Sequence, residues 1–496
     1  TALYNLGVAQ FAQGDLEEAV EAYERSLSFA PDFATAHYNL GMGYSAQGQL
    51  PEAIAAFEAA TRLQPSNFEA LNNLGTCLDQ TGRLPEAIKV YEAALRLEKE
   101  DAQSNSNILS NLFQSLQAVC DWRARDFHLA RLHRALEAIL KRREHSVQAF
   151  HVAWYPFSAD LATRIARHQA RSHEPIETVE HFYSEAVGRR EGLYGVIRVG
   201  YLVDSVGNGS ISQLLPAVLQ GHKSERIHTT VYLLHTGDAS VAECKKELQA
   251  SCQTFRDLSE YARQSNTRGA AEAAARIVAE DSIDILIDVT DTGLGLHQTI
   301  LALRPAPVQV VLGSLTTSGA DYVDYMVTDR HLSPPDFQGH YAEKLSMHPF
   351  SGMMVGVGAS RKQLLAKTKD KVRPREDFGL PRGGVLLCSF VEEHKITPQL
   401  FDSWAAILAR APGARLWLPR YNALAEENLR DEASSRGIDS DRLVFSPASL
   451  RCAEGRCTRH SGRGVLVLSD AELVAASQAA DLLLDSGPHI SSARVL

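Results

Sequence analysis

Laid against itself at an offset of 34 residues, the first 102 residues of this 496-residue chain superimpose: YNLG at 4–7 falls on YNLG at 38–41 and on NNLG at 72–75. Gly14, Gly48 and Gly82 recur in step, as do Ala19, Ala53 and Ala87, then Tyr23, Phe57 and Tyr91, and Pro31 with Pro65. Small residues where two helices cross, an aromatic to fill the next groove, and a Gly or Pro where each helix stops define a helix-turn-helix unit. One such unit cannot bury its apolar face alone, so three in tandem must stack into an α superhelix. Their two end faces are expected to be covered by further repeats or by a docked domain. Because Thr1 already lies inside a repeat, repeats upstream are expected.

This pattern resembles the tetratricopeptide repeat. Asn5, Asn39 and Asn73 hold one place in each unit and should form a ladder along one helical face. Two roles suit such a ladder: bridging neighbouring turns, or gripping the backbone of an extended peptide, which offers one amide per residue. Residues 1–102 hold 15 acidic and 6 basic side chains, against 45 and 44 in the remainder. The net charge of -10 therefore belongs mainly to the repeats, and neither part shows the basic face of a nucleic-acid binder.

Beyond the repeats, residues 103–195 keep a helical pattern without the 34-residue period and read as a cap and connector. From Ile197 the grammar changes to β-branched runs alternating with helical stretches: IRVGYLV, TTVYLL, DILIDV, VQVVLG and DYMVTD. A second set follows with VLLCSF, RLWLPR, RLVFS and DLLLDS. Alternation of this kind predicts parallel sheets covered by helices on both faces, with ligands at the carboxyl ends of the strands. A first lobe over 196–350 and a second over 385–496 are joined by a Lys- and Arg-rich linker, 351–384. Seven scattered cysteines fit reduced thiols and a cytosolic or nuclear compartment, and no apolar run is long enough for a membrane helix.

The blocks CDW (120–122), HVAWYPFS (151–158), RVGYL (198–202), LRPAPVQ (303–309), TSGADYVDYMVTD (317–329), YAEKL (341–345), KITP (395–398) and FSP (445–447) fall in the order they take in protein O-GlcNAc transferases. The chain resembles that family, and the resemblance implies an α superhelix of tetratricopeptide repeats followed by an α/β two-lobed GT-B glycosyltransferase. The SPINDLY-type protein O-fucosyltransferases share this architecture. The implied reaction moves N-acetylglucosamine from UDP-GlcNAc to Ser or Thr hydroxyls of proteins captured by the repeats, with inversion, without a metal and without a cofactor beyond the donor substrate. Lys395 matches the family lysine that contacts the donor diphosphate. From the residues alone, it lies between a strand and a helix that Thr397 should cap with Pro398 in its first turn. His489 matches the His that opens the helix after the last strand, and Ser491 stands where the family has Thr, so both are assigned to the nucleotide.

Other positions depart from the family. GNGSISQ (207–213), after the first strand, resembles the family's GNHPTSH loop with Gly209 and Gln213 where the imidazoles stand. Its GxGxxS lacks the third glycine of a dinucleotide fingerprint. Ile490 and Arg494 replace a Thr and the ribose-binding Asp, and Asp470 and Leu473 replace a Lys and a His; an Asp beside a diphosphate repels it. No residue is assigned as catalytic. Cys452, Cys457 and His460, inside an insert at 450–468, supply three ligands of the four a structural zinc needs, so no metal site is assigned. The C-lobe is expected to be incomplete at Leu496. Two functions follow: a protein glycosyltransferase with UDP-GlcNAc or GDP-fucose as donor, or an inactive relative whose repeats scaffold other proteins.

Overall fold

The computed structural model describes residues 2–97, 102–142, 155–173, 195–205, 210–222, 225–235, 242–263, 268–289, 296–312, 317–330, 333–348, 374–446 and 479–484. The chain divides into two bodies, one built from residues 1–138 with 368–491 and the other from 139–367.

Six antiparallel helices form the repeats: α1 (Ala2–Gln13), α2 (Leu16–Phe29), α3 (Ala34–Ala46), α4 (Leu50–Leu63), α5 (Phe68–Gln80) and α6 (Leu84–Arg96). The periodic residues explain the packing. A Cβ on Gly7 would lie 2.7 Å from Tyr23, one on Gly41 2.7 Å from Phe57, and one on Gly75 2.5 Å from Tyr91. The aromatic ring of each second helix thus fills the gap that glycine leaves in the first. Gly14, Gly48 and Gly82 end the first helices at φ of 91°, 75° and 80°, a conformation other residues rarely adopt.

Helix α7 (Ala102–Ala118) takes the place that the first helix of a fourth unit would occupy. Asn111 donates to Asn72 Oδ1 at 3.1 Å, and Ser115 donates to the buried Asp79 at 2.5 Å. The period was invisible because Leu109, 2% exposed, stands 34 positions after Gly75 and removes the glycine-aromatic signature. The stretch read as one connector divides. Helices α7 and α8 (Arg125–Arg142) follow the repeats, whereas α9 (Ala159–His173) packs in the other body, where Ala170 joins the sheet core.

That body is centred on a seven-stranded parallel sheet, ordered β3-β2-β1-β4-β5-β6-β7. The strands are β1 (Ile197–Ser205), β2 (Ile227–His235), β3 (Thr254–Asp257), β4 (Ile285–Asp288), β5 (Val308–Leu312), β6 (Tyr325–Thr328) and β7 (Lys344–Met347). Five of them match sequence expectations. Side chains alternate between faces: Val199, Tyr201 and Val203 pack with Val231 and Leu233 on one side, while Leu202 joins Tyr232, Leu234 and Leu286 on the other. Helices α10 (Ser210–Gly221) and α11 (Ala242–Ser251) cover the first face, and α13 (Arg268–Glu280) and α14 (Leu296–Ala302) the second; α12 (Ser259–Arg263) is a single turn.

In the first body, a four-stranded parallel sheet runs β10-β9-β8-β11, with β8 (Leu386–Cys388), β9 (Arg415–Leu418), β10 (Leu443–Phe445) and β11 (Leu482–Leu483). Leu387, Leu416 and Leu418 pack on α15 (Pro398–Arg410) and α16 (Ala423–Ser435). The other face buries Leu386, Cys388 and Trp417 under Phe378 and Leu380. Residues 374–384, which the sequence assigned to the linker, are therefore part of this core, fixed also by Arg375 donating to Ala479 O, Gly384 O and Asp481. The end of α7 docks on the same lobe: Asn422 and Asn428 donate to Ala118 O and Val119 O, both at 2.7 Å, and the Trp122 ring lies 5.7 Å from Phe401.

Candidate functional site

Each sheet reverses its strand order beside its first strand. In the larger one, β1 has β2 on one side and β4 on the other; in the smaller one, β8 has β9 and β11. Open parallel sheets bind ligands outside the carboxyl ends of their strands at such a reversal, where the connections leave in opposite directions and open a crevice.

At the larger sheet's reversal, β1 ends at Ser205 and the GNGSISQ segment begins just beyond it, while β4 ends at the buried Asp288, which opens DVTDTG. Residues 206–209 and 290–295, and the side chains of 204–214, lie outside the described residues. The N-lobe blocks that carry the resemblance are bonded to one another instead. Glu343 of YAEKL, 1% exposed, accepts from Thr317 Oγ1 at 2.7 Å and from Ser318 N at 2.6 Å, and also from the Ser318 hydroxyl. Gly319 follows at φ 70°, where a Cβ would lie 2.2 Å from the Ala166 carbonyl carbon. Arg304 of LRPAPVQ donates to Tyr322 O, Pro307 O and Asp324, and Gln309 donates to Leu301 O and Tyr322 O. These residues hold loops in place.

At the smaller sheet's reversal the described chain does carry a candidate ligand group. Strand β8 ends at Cys388, and residues 389–392 lead into a single 3-10 turn, Glu393–Lys395. Thr397 then caps α15, accepting from Leu400 N at 3.2 Å, with Pro398 in the first helical turn as the sequence predicted. The turn is tight. Lys395 N donates to Glu392 O at 2.9 Å, Ile396 N donates to Glu393 O at 3.0 Å, and Tyr421 Oη donates to Val391 O at 2.5 Å. Burial, reinforced by the Glu393, Glu392 and Glu426 carboxylates, holds the Tyr421 phenol well above its usual pKa, so it stays a donor.

The Lys395 side chain is 19% exposed, and its ammonium lies 2.9 Å from Glu392 Oε2, which is also 3.5 Å from His394 Nε2. Glu392 orients the ammonium and offsets part of its charge within the ion pair. Glu426 joins the neighbouring strand end: it binds Arg420 at 2.9 Å and accepts from Tyr421 N, while burial raises its carboxyl. Tyr421 and Glu426 escaped the sequence reading because they come from beyond the end of the neighbouring strand, β9.

His489 and Ser491 lie outside the described residues, as do Asp470, Leu473, Ile490, Arg494 and the 450–468 insert with Cys452, Cys457 and His460. Among the described residues, no three His, Cys, Asp or Glu side chains gather to hold a metal, and no helix is long and apolar enough to cross a membrane. The asparagine ladder is apart from Lys395 in the repeats. Asn39 donates to Tyr4 Oη at 3.0 Å and Asn73 to Tyr38 Oη at 3.4 Å, each joining adjacent units; Asn5 is exposed.

The family model described as glycosyl transferase family 41 matches residues 119–372 and 359–467, and tetratricopeptide repeat models match 7–45 and 38–105. The chain belongs to glycosyl transferase family 41. Similar curated proteins include a probable UDP-N-acetylglucosamine–peptide N-acetylglucosaminyltransferase SEC of Arabidopsis thaliana, 30% identical over 72% of this chain and 35% of that protein. A UDP-N-acetylglucosamine–peptide N-acetylglucosaminyltransferase of Caenorhabditis elegans is 25% identical over 68% of this chain and 38% of its own length. The SPINDLY protein of Arabidopsis thaliana is 26% identical over 51% and 26%. The chain spans little more than a third of the length of the first two of these curated relatives. A mutant O-GlcNAc transferase of Thermobaculum terrenum shares the fold, with TM-score 0.57 and 22% identity, covering 100% of this chain and 80% of that one. The family 41 match and the repeats in front of it are those expected of an O-GlcNAc transferase-like glycosyltransferase.

Proposed function

We propose that the chain binds a UDP-sugar, UDP-GlcNAc, at the carboxyl edge of its smaller sheet and serves transfer of the sugar to hydroxyls of proteins held by the repeats. The observation that carries this reading is Lys395: a cation fixed in a short turn after β8, at the strand-order reversal, in a family 41 chain. As the bond between sugar and phosphate breaks, negative charge gathers on the departing diphosphate, and a pre-oriented ammonium stabilises it without reorganising at that moment. His489 and Ser491 would meet the same nucleotide, and Asn5, Asn39 and Asn73 the acceptor backbone. No cofactor beyond the donor enters this reading. The free thiols of Cys77, Cys120, Cys252 and Cys388 support a cytosolic or nuclear setting.

The second reading is a scaffold whose repeats act without turnover, favoured by Gly209 and Gln213 where the related loops carry imidazoles, the groups suited to proton transfer near neutrality. Calorimetric titration of UDP, with GDP as comparison, tests the donor reading. UDP should bind, and Lys395→Ala should weaken it by about tenfold or more, the scale of one lost charge-assisted contact. Equal binding by wild type and Lys395→Ala sinks the assignment, and tighter GDP binding moves the donor to a guanosine nucleotide.

A further inference from the structure

The turn that bears Lys395 is held from two sides. One side is the C-lobe itself, through Tyr421. The other is the end of the repeat superhelix: Gln117, near the end of α7, donates its Nε2 to His394 O at 3.3 Å, and Cys120 Sγ lies 3.6 Å from Glu393 O. Both residues are buried, Gln117 6% and Cys120 0% exposed, as is the Glu393 side chain at 5%. Successive carbonyls of the turn are thus taken by groups 277 and 273 residues away in the chain.

The local backbone is shaped for this contact. Cys120 has φ 53°, unusual for a residue with a Cβ, and directs the chain out of α7 into CDW. Burial, reinforced by the Glu393 and Glu432 charges, keeps its thiol far above the usual pKa, so it remains a neutral S–H able to donate. Asn422 and Asn428, in turn, fix the carbonyls of Ala118 and Val119 between the two clamping residues. The repeat end and the lysine turn are one bonded unit.

We infer that Gln117, seconded by Cys120, is a positioning residue for Lys395, and that the last helix of the superhelix sets where the donor-binding cation points. The inference rests on the donor reading above. It gives the repeats a second task, since the helix that continues the protein-capturing stack also holds the turn at the nucleotide site.

UDP titration into four full-length chains tests it: wild type, Gln117→Met, Lys395→Ala, and the double variant. Met keeps the buried volume and removes the donor. Gln117→Met should weaken UDP by about three- to tenfold, the range of one lost hydrogen bond, and should add nothing in the Lys395→Ala background, because its effect passes through that lysine. Asn111→Ala, which cuts a bond of α7 to the repeats away from the turn, should leave UDP affinity as it was. If Gln117→Met binds like wild type while Lys395→Ala is weakened, the inference fails and the donor reading stands. An equal loss in both backgrounds makes Gln117 merely structural and also overturns it. No effect of Lys395→Ala overturns the donor reading and the inference with it. Cys120→Ala removes the weaker contact, should repeat the pattern at smaller size, and decides the matter where Gln117→Met does not fold.

Discussion

The two parallel sheets follow the same plan and use their recognisable residues differently. At the larger sheet, the blocks that mark the family, LRPAPVQ, TSGADYVDY and YAEKL, are consumed by internal bonds: Glu343 on Thr317 and Ser318, Arg304 and Gln309 on the Tyr322 carbonyl between β5 and β6. At the smaller sheet, the KITP block leaves an ammonium on the strand-order reversal. The difference separates two things that similarity joins. Residues that maintain a fold persist wherever the fold does, so they identify the family, while the groups that would react are replaceable, and Gly209 and Gln213 show replacement.

Substitutions can break this contrast, and the largest effect belongs to Gly319. With φ 70° and a Cβ position 2.2 Å from Ala166 C and 2.3 Å from Arg167 N, no rotamer change relieves the clash, because both neighbours are backbone. Gly319→Ala should cost more than about 3 kcal/mol, read as a large loss in melting temperature or in folded yield. Whatever folds should still bind UDP like wild type, since the damage is confined to the larger sheet's body. A Gly319→Ala chain that melts normally removes the claim that this block is structural.

Next is Glu343→Gln. The amide keeps the shape but turns one acceptor into a donor facing Thr317 Oγ1 or Ser318 N, leaving buried donors opposed, at a cost of about 2–3 kcal/mol. Denaturant unfolding should show it, with UDP affinity again unchanged. Loss of UDP binding at full stability would instead place Glu343 in the chemistry and erase the contrast.

The smaller sheet offers a weaker but more local test. Thr397→Ala removes the hydroxyl that accepts from Leu400 N at the start of α15, costing about 1 kcal/mol. Because this cap lies two residues after Lys395, the variant should loosen the turn as well, so UDP affinity should fall modestly alongside stability. Reduced stability with intact affinity would show that the cap serves only the helix.

What the sequence disclosed follows from how each residue does its work. The repeats were legible because their packing rule is local and periodic, glycine against aromatic every 34 positions. Nine strands and the Thr397–Pro398 helix start were legible from equally local patterns. Strands β3 and β7 were not: TFRD and KLSM are four-residue edge strands with mostly exposed side chains, and one covered face on an edge leaves little alternation to read. The fourth repeat position was hidden by Leu109. Residues 374–384 were hidden by composition, since the charged residues around Phe378 and Leu380 outweigh the two that are buried. At the site, Lys395 could be named from its motif and Glu392 lies three residues before it, but Gln117 and Tyr421 act on backbone carbonyls distant in the chain, which leave no spacing to recognise.

The smallest effect is a pH dependence that differs between the bodies. His173 and His222 lie in the larger sheet's body and His128 in the repeat body, and each has its pKa lowered from 6.5, chiefly by burial. His297 adds to the shift of His173, and Arg131 to that of His128. A folded pKa below the unfolded one means that, on acidification, the unfolded chain takes up the proton first. The stability these imidazoles contribute is therefore complete above the unfolded value and is lost as pH falls from there through the lowered folded values. Two such groups against one among the described residues predict that the larger sheet's body weakens more steeply between about pH 7 and about pH 5.5. Asp121, held low first by its bond to Arg123, acts only at more acid pH and does not enter this window. Hydrogen exchange followed on each body across that range should show amides of β1 and β2 losing protection faster than those of α5 and α6. His222→Gln keeps an amide for Tyr201, which now meets the imidazole at 2.6 Å, while removing the titration, and should flatten the slope for β1. If both bodies lose protection in parallel, or the substitution leaves the slope unchanged, buried imidazoles are not what distinguishes their response to acid.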